Sequence, residues 1–349
     1  MNFGTVMVVG GPGSGKTNYI ARLWLAFKAR KGGLRAEGLP TNIHYVDDAV
    51  RHLMALRFAP RSERNIEDGR RDFVIEVRGS GGTGPHRKIS VPDITGELWK
   101  MAVETYELPQ EWIDEFKGSS SAILFLRANT TLNAQPMDWV TARDILKLHA
   151  AAMDDELGGD DDYDEDGEDD EDAAATAAIG PIVVPRIAAE PPADAPAEPM
   201  TDNAAAKQGA FAVQIPSKKI KLPAQVGFCE LLRYLALLLS DREDGSRPRV
   251  AIVITAWDML DEETKSAGPM HYLKREFPLF AGRVQTPGRL DIELFGMSIV
   301  GGNLKGNAQF RASLKGRDLS EVGYTAVLRN GVMVEDPDVT LPLAWALGD

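Results

Sequence analysis

The chain has 349 residues, enough for one large or two small domains, and its 44% hydrophobic and 26% charged content is that of an ordinary globular protein. Its one cysteine, Cys229, excludes an intrachain disulfide framework and fits a reducing compartment, hence the cytoplasm. The net charge of −13 is local: fourteen acidic residues fall between Asp154 and Asp172, and without them the remainder carries +1, so charge supports no nucleic-acid partner.

In chain order, residues 5–9 form a short apolar run that leads into glycines rather than a cleavage site, so no signal peptide is expected. Residues 17–31 carry Ile20, Leu23, Trp24 and Phe27 at helical spacing, and 46–58 repeat the pattern with Val46, Val50, Leu53, Met54 and Leu56. Residues 73–77 and 89–91 read as two strands of a hairpin joined by the glycine-rich turn 79–84. The run 122–126 (AILFL) has the unbroken apolar character of a strand buried on both faces. Residues 137–152 suit a helix. From 154 to 209 an acidic run and then an Ala/Pro-rich one bury too little apolar surface to offset chain entropy, and disorder is expected.

The pattern resumes with a helix over 224–239, the strand 250–255 (VAIVIT), helical material over 261–277 and a strand over 291–299. A hairpin turning at Asn330-Gly331 and a short helix over 341–347 complete the chain. The longest apolar stretch, 231–239, is broken by Arg233 and too short to span a bilayer. Strands separated by helices indicate an α/β fold with a mostly parallel sheet flanked by helices and one antiparallel hairpin strand. Residues 1–349 are read as a single P-loop domain, with 154–209 inserted within it.

Gly10-Gly11-Pro12-Gly13-Ser14-Gly15-Lys16-Thr17 fills every fixed position of G-x-x-x-x-G-K-[ST], between an apolar strand and an amphipathic helix. The glycines let backbone N–H groups turn inward around phosphates at a helix N-terminus, where the dipole favours an anion. Lys16 can then reach the β- and γ-phosphates and Thr17 can ligate Mg²⁺. The motif identifies a nucleoside triphosphate and is silent on the base.

Asp93-Ile94-Thr95-Gly96 fits D-x-x-G after the strand 89–91; there Asp93 can hold Mg²⁺ through water and the Gly96 N–H can sense the γ-phosphate. Thr255-Ala256-Trp257-Asp258 ends the strand VAIVIT, where GTPases carry N-K-x-D or T-K-x-D. The Asp of that motif accepts two hydrogen bonds from guanine, a donor pair that adenine lacks. Thr255 and Asp258 fit, Ala256 replaces the lysine whose stem covers the base, and helix N-capping is the competing role for Asp258. Ser298, in Met297-Ser298-Ile299 after the last buried strand, matches the serine of the Ser-Ala loop that GTPases present to the base, while Ile299 departs from its alanine.

The order of these motifs resembles a GTPase of the translation-factor-related class (TRAFAC), for which a hairpin before D-x-x-G is characteristic. The Thr-Ala-Trp-Asp form and the long insertion are similar to the bacterial Double-GTPase families found in conflict-type gene systems. The resemblance implies a γ-phosphate-dependent switch that binds GTP and GDP with Mg²⁺, hydrolyses GTP slowly unaided, and answers to a protein effector or regulator. In Ras-like proteins the residue after D-x-x-G orients the attacking water and is usually Gln; here it is Glu97, a carboxylate that is electrostatically costly beside a triphosphate. The switch I metal ligand falls on Ser62, with Thr41 as the alternative, and Arg61 in the same stretch reads as a solvated surface arginine, with the cis arginine of heterotrimeric G-protein alpha subunits as the other role open to it. Two other classes fit the same P-loop: an ATPase or phosphotransferase, for which Ala256 speaks, and a non-catalytic nucleotide-binding scaffold.

The remaining signals carry less. Residues 162–167 imitate the start of an EF-hand loop, but the twelfth position falls on Ala173 where a bidentate Glu is needed. The five histidines show no zinc-ligand spacing, and Lys218, Lys219 and Lys221 alone do not make a nucleic-acid site.

Overall fold

The structure is a computed structural model that describes residues 5–40, 43–59, 73–79, 87–91, 99, 102, 103, 105, 107–128 and 223–348. The chain divides into two units, one of Met1–Val140 with Lys221–Asp349 and one of Thr141–Ile220; every described residue belongs to the first. The expected helix over 137–152 and the insert 154–209 lie outside the described residues.

The main sheet has six strands in the order β1-β5-β6-β7-β8-β9. Strands β1 (Thr5–Val9), β5 (Ser119–Arg127), β6 (Arg249–Thr255) and β7 (Asp291–Ser298) are parallel, in register at Val9, Leu124, Ile252 and Leu294. Strands β8 (Tyr324–Arg329) and β9 (Val332–Asp336) extend the sheet antiparallel. Their turn is the expected one: Asn330 and Gly331 both have positive φ, 52° and 78°, as a two-residue type I′ hairpin requires.

Both faces of the parallel strands are covered, which is why β5 and β6 read as unbroken apolar runs. Side chains alternate across the pleat. Val6, Val8, Ile123, Phe125, Ala251 and Val253 pack with helices α1 (Lys16–Lys28), α2 (Ile43–Met54) and α9 (Leu341–Leu347). On the opposite face Met7, Val9, Leu124, Leu126, Ile252 and Ile254 pack with α3 (Gln110–Lys117) and α4 (Ala224–Leu238). The helical stretch expected over 261–277 is two helices, α5 (Glu262–Ala267) and α6 (Pro269–Glu276), followed by α7 (Pro278–Gln285). The prolines at 269 and 278 explain the breaks, since each fits the first turn of a helix but not its interior. Helix α8 (Ala308–Leu314) precedes β8.

A second sheet has the order β2-β3-β4, all antiparallel, formed by β2 (Leu34–Ala36), β3 (Phe73–Gly79) and β4 (Arg87–Val91). The hairpin expected from the sequence is its β3–β4 pair, and β4 lies beside β1. Strand β2 has only three residues, too few to show an alternating pattern.

Helix α9 is fastened by its last carbonyls, which a helix leaves without internal partners. Arg249 donates to Trp345 O at 2.8 Å, and Arg242 donates to Ala346 O at 3.2 Å and Leu347 O at 3.1 Å. The start of the same helix is joined to the turn after α1 through Asp338, which accepts from Gly33 N at 2.7 Å and Thr340 N at 2.8 Å.

Gly296, in the middle of β7, faces the ring of Trp257; a Cβ there would stand 2.6 Å from Trp257 Cγ and 2.7 Å from Cε2. Trp257 is only 1% exposed and is backed edge-on by Tyr272, so the ring has nowhere to retreat. Overpacking of this kind costs about 1–3 kcal/mol. Gly296→Ala is therefore expected to lower the unfolding free energy read from urea titration by that amount, whereas Gly282→Ala, with open space around it and no left-handed φ, is expected to show no such loss.

Candidate nucleotide-binding site

The carboxyl ends of β1, β6 and β7 lie together, where an open α/β sheet places its ligands. Residues 10–15 loop from β1 into α1. Gly15, with φ +93°, occupies the N-cap of that helix, and no side chain caps it, so the first backbone N–H groups of α1 face the loop. The Lys16 ammonium folds back over the loop and donates to Gly10 O at 2.6 Å, Gly11 O at 3.0 Å and Ser14 Oγ at 3.3 Å. The fixed positions of the motif, Gly10 to Thr17, thus form one cradle. Next to Thr17, Asn18 Oδ1 accepts from Ala59 N at 2.9 Å and ties the first turn of α1 to the chain leaving α2.

Thr255 ends β6 directly beneath this cradle. It is 3% exposed, and its hydroxyl donates to Ser14 O at 2.8 Å. A Cβ on Gly15 would stand 3.1 Å from that hydroxyl, so loop and strand end are in close contact. The structure therefore places Thr255 against the phosphate loop from the inside of the protein.

The chain then turns sharply at Ala256, whose φ of +56° is left-handed. This sends Trp257 into the core, edge-on to Tyr272 at a centroid distance of 6.3 Å, and out of reach of any base. Asp258 is half-buried and its Oδ1 accepts from Ser298 Oγ at 2.6 Å. It caps no helix. The capping carboxylate of this stretch is Asp261, which accepts from Thr264 N at 2.7 Å, and those hydrogen bonds hold it below the usual carboxylate range. One lone pair of Asp258 is engaged by Ser298, and a carboxylate offers about four. Ser298 itself, the last residue of β7, is fully buried and accepts from Gly301 N at 3.0 Å.

Two further residues carry no motif. Tyr324 begins β8 and is paired in register with Ser298. Burial pushes its phenol up, and the nearby Glu335 and Asp258 carboxylates add to that. Arg22, in α1, is buried and donates to the carbonyls of Ser320 and Val322. Both reach the site through packing between distant segments, which leaves no local pattern to read.

Asp93, Gly96 and Glu97 lie outside the described residues, as do Ser62, Arg61 and Thr41; β4 ends at Val91, two residues before Asp93. Among the described residues no group of three or more His, Cys, Asp or Glu can hold a metal, and no helix is long and apolar enough to cross a membrane.

The sequence model of the family described as Double-GTPase 1 matches residues 7–346, from β1 through α9. The chain belongs to the Double-GTPase 1 family. No curated protein and no solved structure matches it. As a Double-GTPase it is a P-loop protein of the GTP-binding kind, with the mostly parallel sheet and flanking helices of P-loop NTPases. Within this Double-GTPase Thr255 is in contact with the P-loop and Ser298 with Asp258, and Trp257 is in the core.

The Thr255 hydroxyl predicts a measurable coupling. In Thr255→Val the buried Ser14 carbonyl loses its donor, at a cost of about 1–3 kcal/mol. GTP affinity of the Double-GTPase is expected to fall by about tenfold in calorimetric titration, and Thr255→Ser is expected to retain it.

Proposed function

We propose that this Double-GTPase is a guanine-nucleotide switch that hydrolyses GTP to GDP and phosphate, slowly until a protein partner assists. The observation that carries the reading is the Asp258–Ser298 pair, held at 2.6 Å at the carboxyl ends of adjacent strands, with the P-loop joined to the same strand end through Thr255. A carboxylate that caps nothing and is oriented by a buried serine suits the paired N–H donors of guanine.

In this reading Lys16 and the N–H groups of residues 10–17 hold the phosphates, Asp258 reads the base, and Ser298 keeps Asp258 in place. Thr17, Asp93 and Ser62 supply oxygen donors of the hard kind that Mg²⁺ takes. Bound there, Mg²⁺ would neutralise charge on the β- and γ-phosphate oxygens. Gly96 senses the γ-phosphate. Glu97 stands where a glutamine would orient water, and its charge opposes that of the triphosphate, which is the reason for slow unaided turnover. Residues 1–349 form one GTPase-like domain with 154–209 as an insertion in its sequence, and the single cysteine suits the cytoplasm.

Competition between GTP and ATP tests the base assignment. Wild type is expected to prefer GTP, and Asp258→Ala to lose about a hundredfold in GTP affinity, the worth of two charge-assisted hydrogen bonds. Equal affinities, or no loss in Asp258→Ala, would overturn it in favour of an ATPase or phosphotransferase. Absence of phosphate release over multiple turnovers would leave a nucleotide-binding scaffold. In single-turnover hydrolysis Glu97→Gln is expected to exceed wild type; a variant equal to or slower than wild type would remove Glu97 as the cause of slow turnover.

A further inference from the structure

Arg22 lies on α1 roughly one and a half turns beyond Thr17 and is 1% exposed. Its Nε donates to Val322 O at 2.9 Å, and its Nη2 donates to Val322 O at 2.7 Å and Ser320 O at 2.9 Å. Among the described residues Nη1 has no hydrogen-bond partner. Burial outweighs the nearby Asp318 and Asp338 carboxylates and pushes the guanidinium down to about 10. A charge kept where it is this costly calls for a reason beyond packing.

The segment Arg22 holds leads to the base-reading loop. Just past the end of α1, Lys31 pairs with Glu321 at 2.5 Å and Asp318 at 3.6 Å, so residues 318–322 are fastened both to α1 and to the turn that follows it. Gly323 follows, with φ +78°; a Cβ there would stand 2.5 Å from Ser298 O and nearer still to Ile299 O. Tyr324 then pairs with Ser298. Residues 320–324 are thus a buttress pressed against the loop that begins at Ser298, and Arg22 is its buried anchor to the helix that starts at the P-loop.

We propose that Arg22 is a positioning residue for base recognition: by fixing residues 320–323 on α1, it sets Ser298, and through it Asp258, at the correct distance from the phosphate cradle. The inference rests on the guanine reading of Asp258. The phosphate cradle does not depend on the buttress, because it stands on β1, β6 and Thr255. Loss of Arg22 should therefore weaken recognition of the base and spare that of the phosphates.

The test measures affinities of the full chain for GTP, inosine triphosphate and ATP in wild type, Arg22→Met and Arg22→Lys, with thermal melts for each. Arg22→Met is expected to bind GTP about tenfold more weakly while ATP changes by less than about twofold, so that the GTP to ATP ratio collapses. The wild-type advantage of GTP over inosine triphosphate, which lacks the 2-amino group, should shrink with it. Arg22→Lys keeps the charge but not the fork that grips two carbonyls, and should fall between. Amide exchange is expected to quicken at residues 298–301 and to stay unchanged at 13–17. Equal weakening of GTP and ATP, or an unchanged ratio, would overturn the proposal; should Arg22→Met fail to fold, the ratio in Arg22→Lys decides it by the same criterion. A wild type without preference for GTP over ATP would overturn the base reading itself, and this inference with it.

Discussion

The Thr255 hydroxyl on the Ser14 carbonyl joins two pieces of chain that are far apart in sequence: the loop after β1 and the end of β6. The site depends on that junction. Only Ala256 and Trp257 separate Thr255 from Asp258, and the chain reverses at the first of them, so the position of the carboxylate is inherited from the strand beneath the cradle. A left-handed alanine costs of order 1–2 kcal/mol, and the turn is nonetheless made, because Trp257 gains a buried seat against Tyr272 and Gly296. Core packing on one face of the sheet therefore aims a polar group at its rim.

The same economy appears around the rest of the sheet. Parallel strands with both faces covered must be apolar throughout, which leaves polar chemistry to their ends. Thr255 and Ser298 are the buried polar residues at two of those ends, and each is hydrogen-bonded, one to the loop and one to Asp258. On the other side of the sheet α1 has Lys16 at its start and Arg22 in its interior, with Lys31 just past its end, so a single helix touches both the cradle and the segment behind the loop that begins at Ser298.

Much of this was legible in the sequence. The P-loop, strands β1, β5 and β6, the Asn330-Gly331 hairpin and α9 all announce themselves through local chemistry: glycines at fixed spacing, unbroken apolar runs, a turn dipeptide. Asp258 and Ser298 were each visible as motif residues, although their mutual hydrogen bond was not. What escaped was short or long-range. Strand β2 has three residues and α3 eight, too little for a period to emerge, and apolar residues continue past Pro269, so the pattern does not mark the break between α5 and α6. Arg22 and Tyr324 act through contacts with segments that no spacing rule connects. Thr255 was legible as part of a base motif, yet its hydroxyl turns toward the phosphate loop, a direction that only the packing of β6 under residues 10–15 decides. Asp93, Gly96, Glu97 and Ser62 stand on their sequence context alone.

The hydrogen bond from Ala59 N to Asn18 Oδ1 has a mechanical meaning. Asn18 follows Thr17 on the same helical turn, so the backbone leaving α2 is pinned to the residue beside the cradle's last hydroxyl. That pin acts as a fulcrum: the chain that continues from Ala59 toward Ser62 sets out from a point fixed to α1. The first turn of α1 and the chain that ends at Ala59 therefore hold one another in place, and neither shifts without carrying or breaking the bond between them.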